Sequence, residues 1–248
     1  MTAVVGWLCK DGVVIGSDSA VTFSSGTQFT IEQTGTKVFV IGESVIVAGS
    51  GEVGLQQRFC NIVQSAYNQK LFPKNYLDVG RALSKAANED LINTRSERGK
   101  YCALLAYASG DEFHLCEFSL KDFQPEWKDN KVSFSSIGCG QQITDPFLGF
   151  MKKVFWGEGE QPEVRQAAFV TYWTLSHVCE LSPGLIRGPI QMAQLLKNDK
   201  GYFKAALLSD PELQEHDAIT KKAIAHLSEF KKELAGKAAG KIPSLGNG

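Results

Sequence analysis

Short apolar runs separated by glycine, aspartate and serine fill the first part of the chain. Ala3 to Cys9, Val13 to Ser17, Gln28 to Glu32, Lys37 to Ile41 and Ser44 to Ala48 read as strands, the first two joined by a turn at Lys10-Asp11-Gly12. The period changes near Gly51, after which Val53, Phe59, Ile62, Val63 and Ala66 fall on one face of a helix. A second helix is expected from Tyr76 to Thr94, with Leu83, Ala86, Ala87 and Leu91 as its apolar stripe. The polar run from Arg95 to Lys100, with Gly99 inside it, ends that helix.

Strands then return at Tyr101 to Ala108 and Glu112 to Phe118, followed by an unpatterned charged stretch around Trp127 and a strand at Val132 to Ile137. Helices are expected over Asp145 to Phe155 and Pro162 to Cys179, the latter with Pro162 in its first turn, where a missing amide hydrogen costs nothing. Gly184 to Gly188 breaks the pattern before a returning strand at Ile190 to Leu195. From Pro211 to Gly236, Leu213, Ile219, Ala223, Leu227, Phe230 and Leu234 recur near helical spacing. This helix is read as packing on its own subunit, with contact to a neighbouring subunit as the alternative. The order of strands, two helices, strands, two helices and a strand predicts an α+β fold with two sheets packed between helical layers. An open parallel sheet would alternate strand and helix. Residues 1–236 are expected to form one domain and 237–248 a flexible tail, because that tail holds little to bury.

Composition narrows the function. With 43% hydrophobic and 21% charged residues, the 248-residue chain has enough to bury for an ordinary folded protein. A net charge of -1, from 26 basic and 27 acidic side chains, makes no field to hold nucleic acid or an anionic membrane, so neither is an expected partner. The sequence shows no apolar run of about 20 residues and no signal-peptide pattern, and the expected location is the cytoplasm. The six cysteines contain no CxxC pair and are read as reduced, mostly core fillers, in preference to a disulfide framework or a zinc site. The four histidines lack HExxH spacing and are read as ordinary side chains, so no metal is expected.

The chemistry begins at Met1-Thr2-Ala3. Loss of Met1 before so small a residue would leave Thr2 with an α-amine and a hydroxyl, base and nucleophile on one residue. An α-amine with a pKa of roughly 7.7 to 8.0 is partly neutral at cellular pH and can take the hydroxyl proton. Alone, a threonine in second position is an unremarkable polar terminus.

Its context is specific. Thr2, then Lys10-Asp11-Gly12-Val13-Val14-Ile15-Gly16-Ser17-Asp18-Ser19, Thr36-Lys37-Val38, Val47-Ala48-Gly49-Ser50-Gly51 and Ser136-Ile137-Gly138-Cys139-Gly140 together resemble a proteasome beta-type subunit. The resemblance is to the bacterial proteasome-like peptidases more than to the eukaryotic subunits. It implies the four-layer alpha-beta-beta-alpha sandwich of the N-terminal nucleophile hydrolases, self-assembly into stacked rings, and cleavage of peptide bonds in peptides or unfolded proteins within a closed chamber. A separate ATP-dependent unfoldase is a further implied partner. Carried over, Thr2 is the nucleophile, Asp18 the buried acidic partner, Lys37 the lysine beside the nucleophile and Gly49 the donor of an amide to the oxyanion. Val47 matches a position lining the pocket for the substrate residue before the cut. The residues suit those roles: a buried ammonium would lower the pKa of the Thr2 amine and hydroxyl, and it needs a partner such as Asp18. This chemistry requires no cofactor.

Departures from the family pattern stand beside the matches. Cys139 replaces a serine near the nucleophile, so a weaker thiol donor faces the amine. Around Cys179-Glu180-Leu181-Ser182-Pro183-Gly184 the family aspartate has no secure counterpart, and Ser182 is read either in the serine role or as a helix-end turn residue. Ala20 stands where many members place an arginine. The reading is a threonine endopeptidase; the alternatives are an inactive ring-forming subunit and an N-terminal nucleophile amidase or transferase with a narrow substrate.

Overall fold

The computed structural model describes residues 2–25, 28–96, 100–157, 159–182 and 186–237. The chain runs β1 (Val4–Cys9), β2 (Gly12–Ser17), β3 (Ala20–Ser25), β4 (Gln28–Thr34), β5 (Val38–Ile41), β6 (Val45–Gly51), α1 (Val53–Asn68), α2 (Tyr76–Asn93), β7 (Tyr101–Ser109), β8 (Glu112–Phe118), β9 (Pro125–Trp127) and β10 (Phe134–Ile137). It continues through α3 (Gln141–Phe155), α4 (Val164–Leu181), β11 (Gln191–Lys197), β12 (Phe203–Leu207) and α5 (Asp210–Lys237). One antiparallel sheet has the order β10-β1-β2-β11-β12, the other β5-β6-β7-β8-β9, and β3-β4 forms a separate hairpin.

Strand alternation makes the layers. In β6, Val45 and Val47 face α1 and α2 with Phe59, Leu83 and Leu105, whereas Ile46 and Ala48 face the other sheet. In β1, Val5 and Trp7 pack on α3 and α4, while Val4 and Leu8 point between the sheets. β1 and its neighbour β2 are buried on both faces, which is why they read as continuous apolar runs. Gly6 leaves room on the inner face, since a Cβ there would lie 3.0 Å from Leu104. The result is an alpha-beta-beta-alpha sandwich.

The structure departs from the sequence expectation at several elements. Strands β3 and β12 were not expected: β3 is serine- and threonine-rich and pairs only in a hairpin, and the five-residue β12 is an edge strand. The stretch around Trp127 contributes a three-residue strand, β9. Helix α3 begins at Gln141, so Pro146 lies inside it, after the first turn has formed. Pro162 lies outside α4, because Glu163 is the N-cap and forms a capping box with Gln166. Helix α5 starts with Ser209 bonded through its amide and hydroxyl to Glu212 at 2.7 and 2.6 Å. Its first turns pack on α4 through Leu213 and His216, whereas Ile224, Leu227, Phe230 and Leu234 are exposed. Met1, the Glu97 to Gly99 part of the polar run, Pro183 to Leu185 and residues 238–248, where a flexible tail was expected, lie outside the described residues.

Candidate active site

The site forms where the two sheets meet at one end. Continuing the β1–β2 register by one residue brings Ala3 opposite Asp18. Asp18 donates its amide to Ala3 O at 3.3 Å, and its Oδ1 accepts the Ala3 amide at 3.0 Å. Ser17 Oγ donates to the same Ala3 oxygen at 3.0 Å. Asp18 Oδ2 accepts the Ala20 amide at 3.1 Å. Thr2 is thus anchored through the residue after it, by a carboxylate whose orientation is itself fixed.

Lys37 enters from the other sheet. The sequence expectation began β5 at this residue; the strand begins at Val38, and Lys37 stands just before it. Its amide donates to Gln191 Oε1 at 2.9 Å, and its carbonyl accepts from Gln56 Nε2 at 3.3 Å. The side chain crosses to the first sheet, where Nζ donates to Asp18 Oδ1 and Oδ2 at 2.9 Å each and to Thr2 Oγ1 at 2.9 Å. Asp18 is 0%, Lys37 3% and Thr2 7% exposed, so the arrangement is nearly sealed from water. Burial pushes the Lys37 ammonium below the usual lysine range, while the Asp18 carboxylate opposes that shift by charge and hydrogen bonding. A buried ion pair survives only when its remaining donors and acceptors are met, and here the carboxylate also takes main-chain amides.

Gly49 follows from register. The β5–β6 pairing of Val38 with Ala48, extended by one residue, sets Gly49 opposite Lys37. Gly49 is buried, and a Cβ built on it would run into the Tyr101 ring. Val47, on the same face, is fully buried among the side chains beneath α1, so it forms part of the closed core wall.

The turn after β10 completes the surroundings of Thr2. The Thr2 nitrogen donates to Cys139 Sγ at 3.2 Å, and the Thr2 carbonyl accepts the Gly140 amide at 3.2 Å. Gly138 has φ +97, and a Cβ there would overlap Thr2 O, so glycine is required on both counts. Cys139 is exposed, with its thiol against the Thr2 nitrogen. The six cysteines are all free, and three of them, Cys9, Cys102 and Cys116, are buried.

Ser182 is not brought in. It is the C-cap residue of α4, with its amide bonded to Val178 O at 3.0 Å and its carbonyl accepting from Ile186 at 3.2 Å, and among the described residues it makes no hydrogen bond to Thr2. Of the two readings offered for it, the geometry is that of the helix-end turn residue. Ala20 uses its amide, not a side chain, on Asp18. Sequence reasoning missed Gln191, Gln56 and Tyr101. They lie outside the quoted motifs, on β11, α1 and β7, and belong to ordinary residue types, so only strand pairing and packing connect them to Lys37 and Gly49.

A family model described as "Proteasome subunit" matches residues 2–152. Among solved structures, a Gly-1 mutant of Anbu from Hyphomicrobium sp. strain MC1 is 14% identical, with 92% of this chain and 97% of that chain covered at a TM-score of 0.68. Anbu from Yersinia bercovieri, described as an ancestral beta-subunit, is 15% identical, with 99% of this chain and 100% of that chain covered at a TM-score of 0.62. No curated protein matches the chain. At these identities the structural likeness speaks for the fold.

Proposed function

Because the chain belongs to the proteasome subunit family, we propose that it is a threonine-type endopeptidase whose nucleophile is Thr2 after loss of Met1. The carrying observation is the Lys37 ammonium, 2.9 Å from Thr2 Oγ1 and held on a fully buried Asp18. A cation there lowers the pKa of the hydroxyl and stabilises the charge that gathers on its oxygen.

In the proposed reaction Thr2 Oγ1 bonds to the scissile carbonyl carbon and its proton passes to the Thr2 amine, directly or through water. The tetrahedral oxyanion takes a hydrogen bond from the Gly49 amide. The C–N bond then breaks, the amine returns the proton to the leaving nitrogen, and an ester on Thr2 remains. Water, deprotonated by the same amine, hydrolyses the ester and restores the hydroxyl. The residues supply the base, the nucleophile and the electrostatics without a cofactor. Substrates are peptides or unfolded proteins, and the location is the cytoplasm. The family's assembly into rings supports self-assembly that confines the site, with an unfoldase as an optional partner.

Intact mass before and after a peptide epoxyketone tests this, because that electrophile closes onto an amine and a hydroxyl held together. The expected result is loss of one methionine followed by one adduct per chain. Retained Met1 in the assembled protein would sink the proposal, since the amine would be lost as a base. A second reading, an inactive ring-forming subunit, is favoured by the thiol at Cys139 and by Ser182 making no hydrogen bond to Thr2 among the described residues. Processed, assembled protein that takes no adduct would select it. Cleavage of a disordered protein separates the endopeptidase from an amidase with a narrow substrate.

A further inference from the structure

Lys37 must reach Asp18 across the gap between two sheets, and stacked sheets lie about 10 Å apart. A long, flexible side chain can do this reproducibly only if its own main chain is fixed. Yet Lys37 stands before β5, outside the strand pairing that fixes the residues after it. Side-chain amides perform that task instead.

Gln191 is the first residue of β11 and pairs in register with Ser17, the neighbour of Asp18. Its Oε1 accepts the Lys37 amide at 2.9 Å and the Val38 amide at 3.4 Å, and its Nε2 donates to Gly35 O at 2.8 Å. The opposite orientation of the amide would set Nε2 against two N–H donors, so this assignment alone satisfies every partner. Gly35 is tied in turn to Ser19 O through its own amide at 2.8 Å. One side chain thereby links the strand end that carries Asp18 to the segment that carries Lys37. Gln56, buried on α1, holds the Lys37 carbonyl from the opposite side.

We infer that Gln191 is a positioning residue, which acts through the Lys37 main chain to set the ammonium between Thr2 Oγ1 and Asp18. This inference rests on the reading of Thr2 as the nucleophile. It differs from a purely structural role because a displaced Lys37 changes the reactivity of Thr2 and its dependence on pH, and not stability alone.

The test compares the full-length native protein with Gln191→Leu and Gln191→Glu, following the rate of epoxyketone addition by intact mass from neutral to alkaline pH. Misplacement by about 1 Å can lower a rate on the order of 100-fold, and a loss of that size in maximal addition rate, with unchanged half-saturation, is expected for Gln191→Leu. Gln191→Glu keeps the volume and the acceptor for Lys37 but loses the donor to Gly35 and adds a negative charge. It is expected to retain part of the rate and to move the alkaline limb of the profile upward, since an added anion holds the Lys37 proton. Because Glu is isosteric, the conclusion does not depend on the leucine variant folding. A native rate in Gln191→Leu, or an unmoved alkaline limb in Gln191→Glu, overturns the inference while leaving the Thr2 reading intact. A native protein that takes no adduct removes both.

Discussion

The phenol of Tyr101 occupies the space in which a side chain on Gly49 would stand. A Cβ built on Gly49 would overlap the Tyr101 hydroxyl and lie 2.5 Å from ring carbons Cε2 and Cζ. The ring is itself held by Phe59 and Phe123, each with its centroid 5.9 Å away. Gly49 is therefore glycine for a packing reason as well as for the proposed approach of its amide to substrate. Gly49→Ala should lose about 1 to 3 kcal/mol to overpacking and slow addition to Thr2 by displacing β6. The Tyr101 hydroxyl is buried with no hydrogen-bond partner among the described residues. Tyr101→Phe should therefore be neutral or more stable, by up to ~1 kcal/mol, and should soften the alanine effect in the double variant. Denaturant unfolding of the single and double variants decides this; strict additivity of the two changes would contradict the contact.

The members of the buried ion pair should not be equally costly to remove. Asp18 keeps the Ala3 and Ala20 amides when Lys37 is lost, whereas Lys37 without Asp18 is a buried cation with its main counter-charge gone. Asp18→Ala is expected to destabilise by about 3 to 5 kcal/mol, and Lys37→Met by less, with addition to Thr2 lost in both. Equal or reversed stability losses would show that the carboxylate's backbone contacts do not compensate it.

Alkaline pH should separate stability from reactivity. Burial lowers the folded-state pKa of Lys37 below its ordinary 10.5, with Asp18 opposing. Between that lowered value and 10.5 the unfolded chain binds more protons than the folded one, so this group's contribution to stability rises with pH across that window. In the proposed mechanism reactivity uses the ammonium, so it falls over the same window. The addition rate should therefore drop at a pH below 10.5, while the melting temperature of the native protein falls less steeply than that of Lys37→Met. Parallel curves would mean that Lys37 does not titrate there.

The structure brings Thr2, Asp18, Lys37 and Cys139 into contact, and the sequence points to them, with Gly49, because each lies in a short, dense motif beside an apolar strand. The four layers were legible as well, since β1, β2, β6 and β7 are buried on both faces and cannot be mistaken for solvent-facing strands. Ser182 carried no such signal: a serine after a helix is more often a cap, and a cap is what it is. Gln191 and Tyr101 carried none either, because their positions depend on how β11 pairs with β2 and β7 with β6. The hairpin β3–β4 was half-read, since the alternation in its first strand is only Val21-Thr22-Phe23-Ser24 and the hairpin pairs outside both main sheets.

The thiol at Cys139 is the departure most open to experiment. It is the one cysteine of the six that is exposed, and it accepts from the Thr2 nitrogen at 3.2 Å. Cys139→Ser should speed epoxyketone addition several-fold, on the scale of the ~1 kcal/mol by which one good hydrogen bond exceeds a weak one. Brief treatment of the folded native protein with a maleimide should label Cys139 first and block addition to Thr2. Labelling without loss of addition would mean that the thiol leaves the amine free to act.

Acid should loosen α5 from α4. His216 is buried beside Tyr172, with ring centroids 6.2 Å apart, and its Nδ1 has no hydrogen-bond partner among the described residues. Burial lowers its pKa below the ordinary 6.5; the Glu215 and Glu212 carboxylates oppose that shift, and the Arg165 guanidinium adds to it. With the folded value depressed, the unfolded chain takes up a proton first as pH falls below 6.5, so stability from this group is present above 6.5 and is lost through the window beneath it. Hydrogen exchange along α5 should accelerate between pH 7 and pH 5, after correction for intrinsic rates, in the first half of the helix, where Leu213 and His216 meet α4. His216→Phe removes the titrating group and keeps an aromatic ring against Tyr172, so its α5 protection should change less over the same range. The same acid sensitivity in native protein and variant would assign the effect to the surface carboxylates instead.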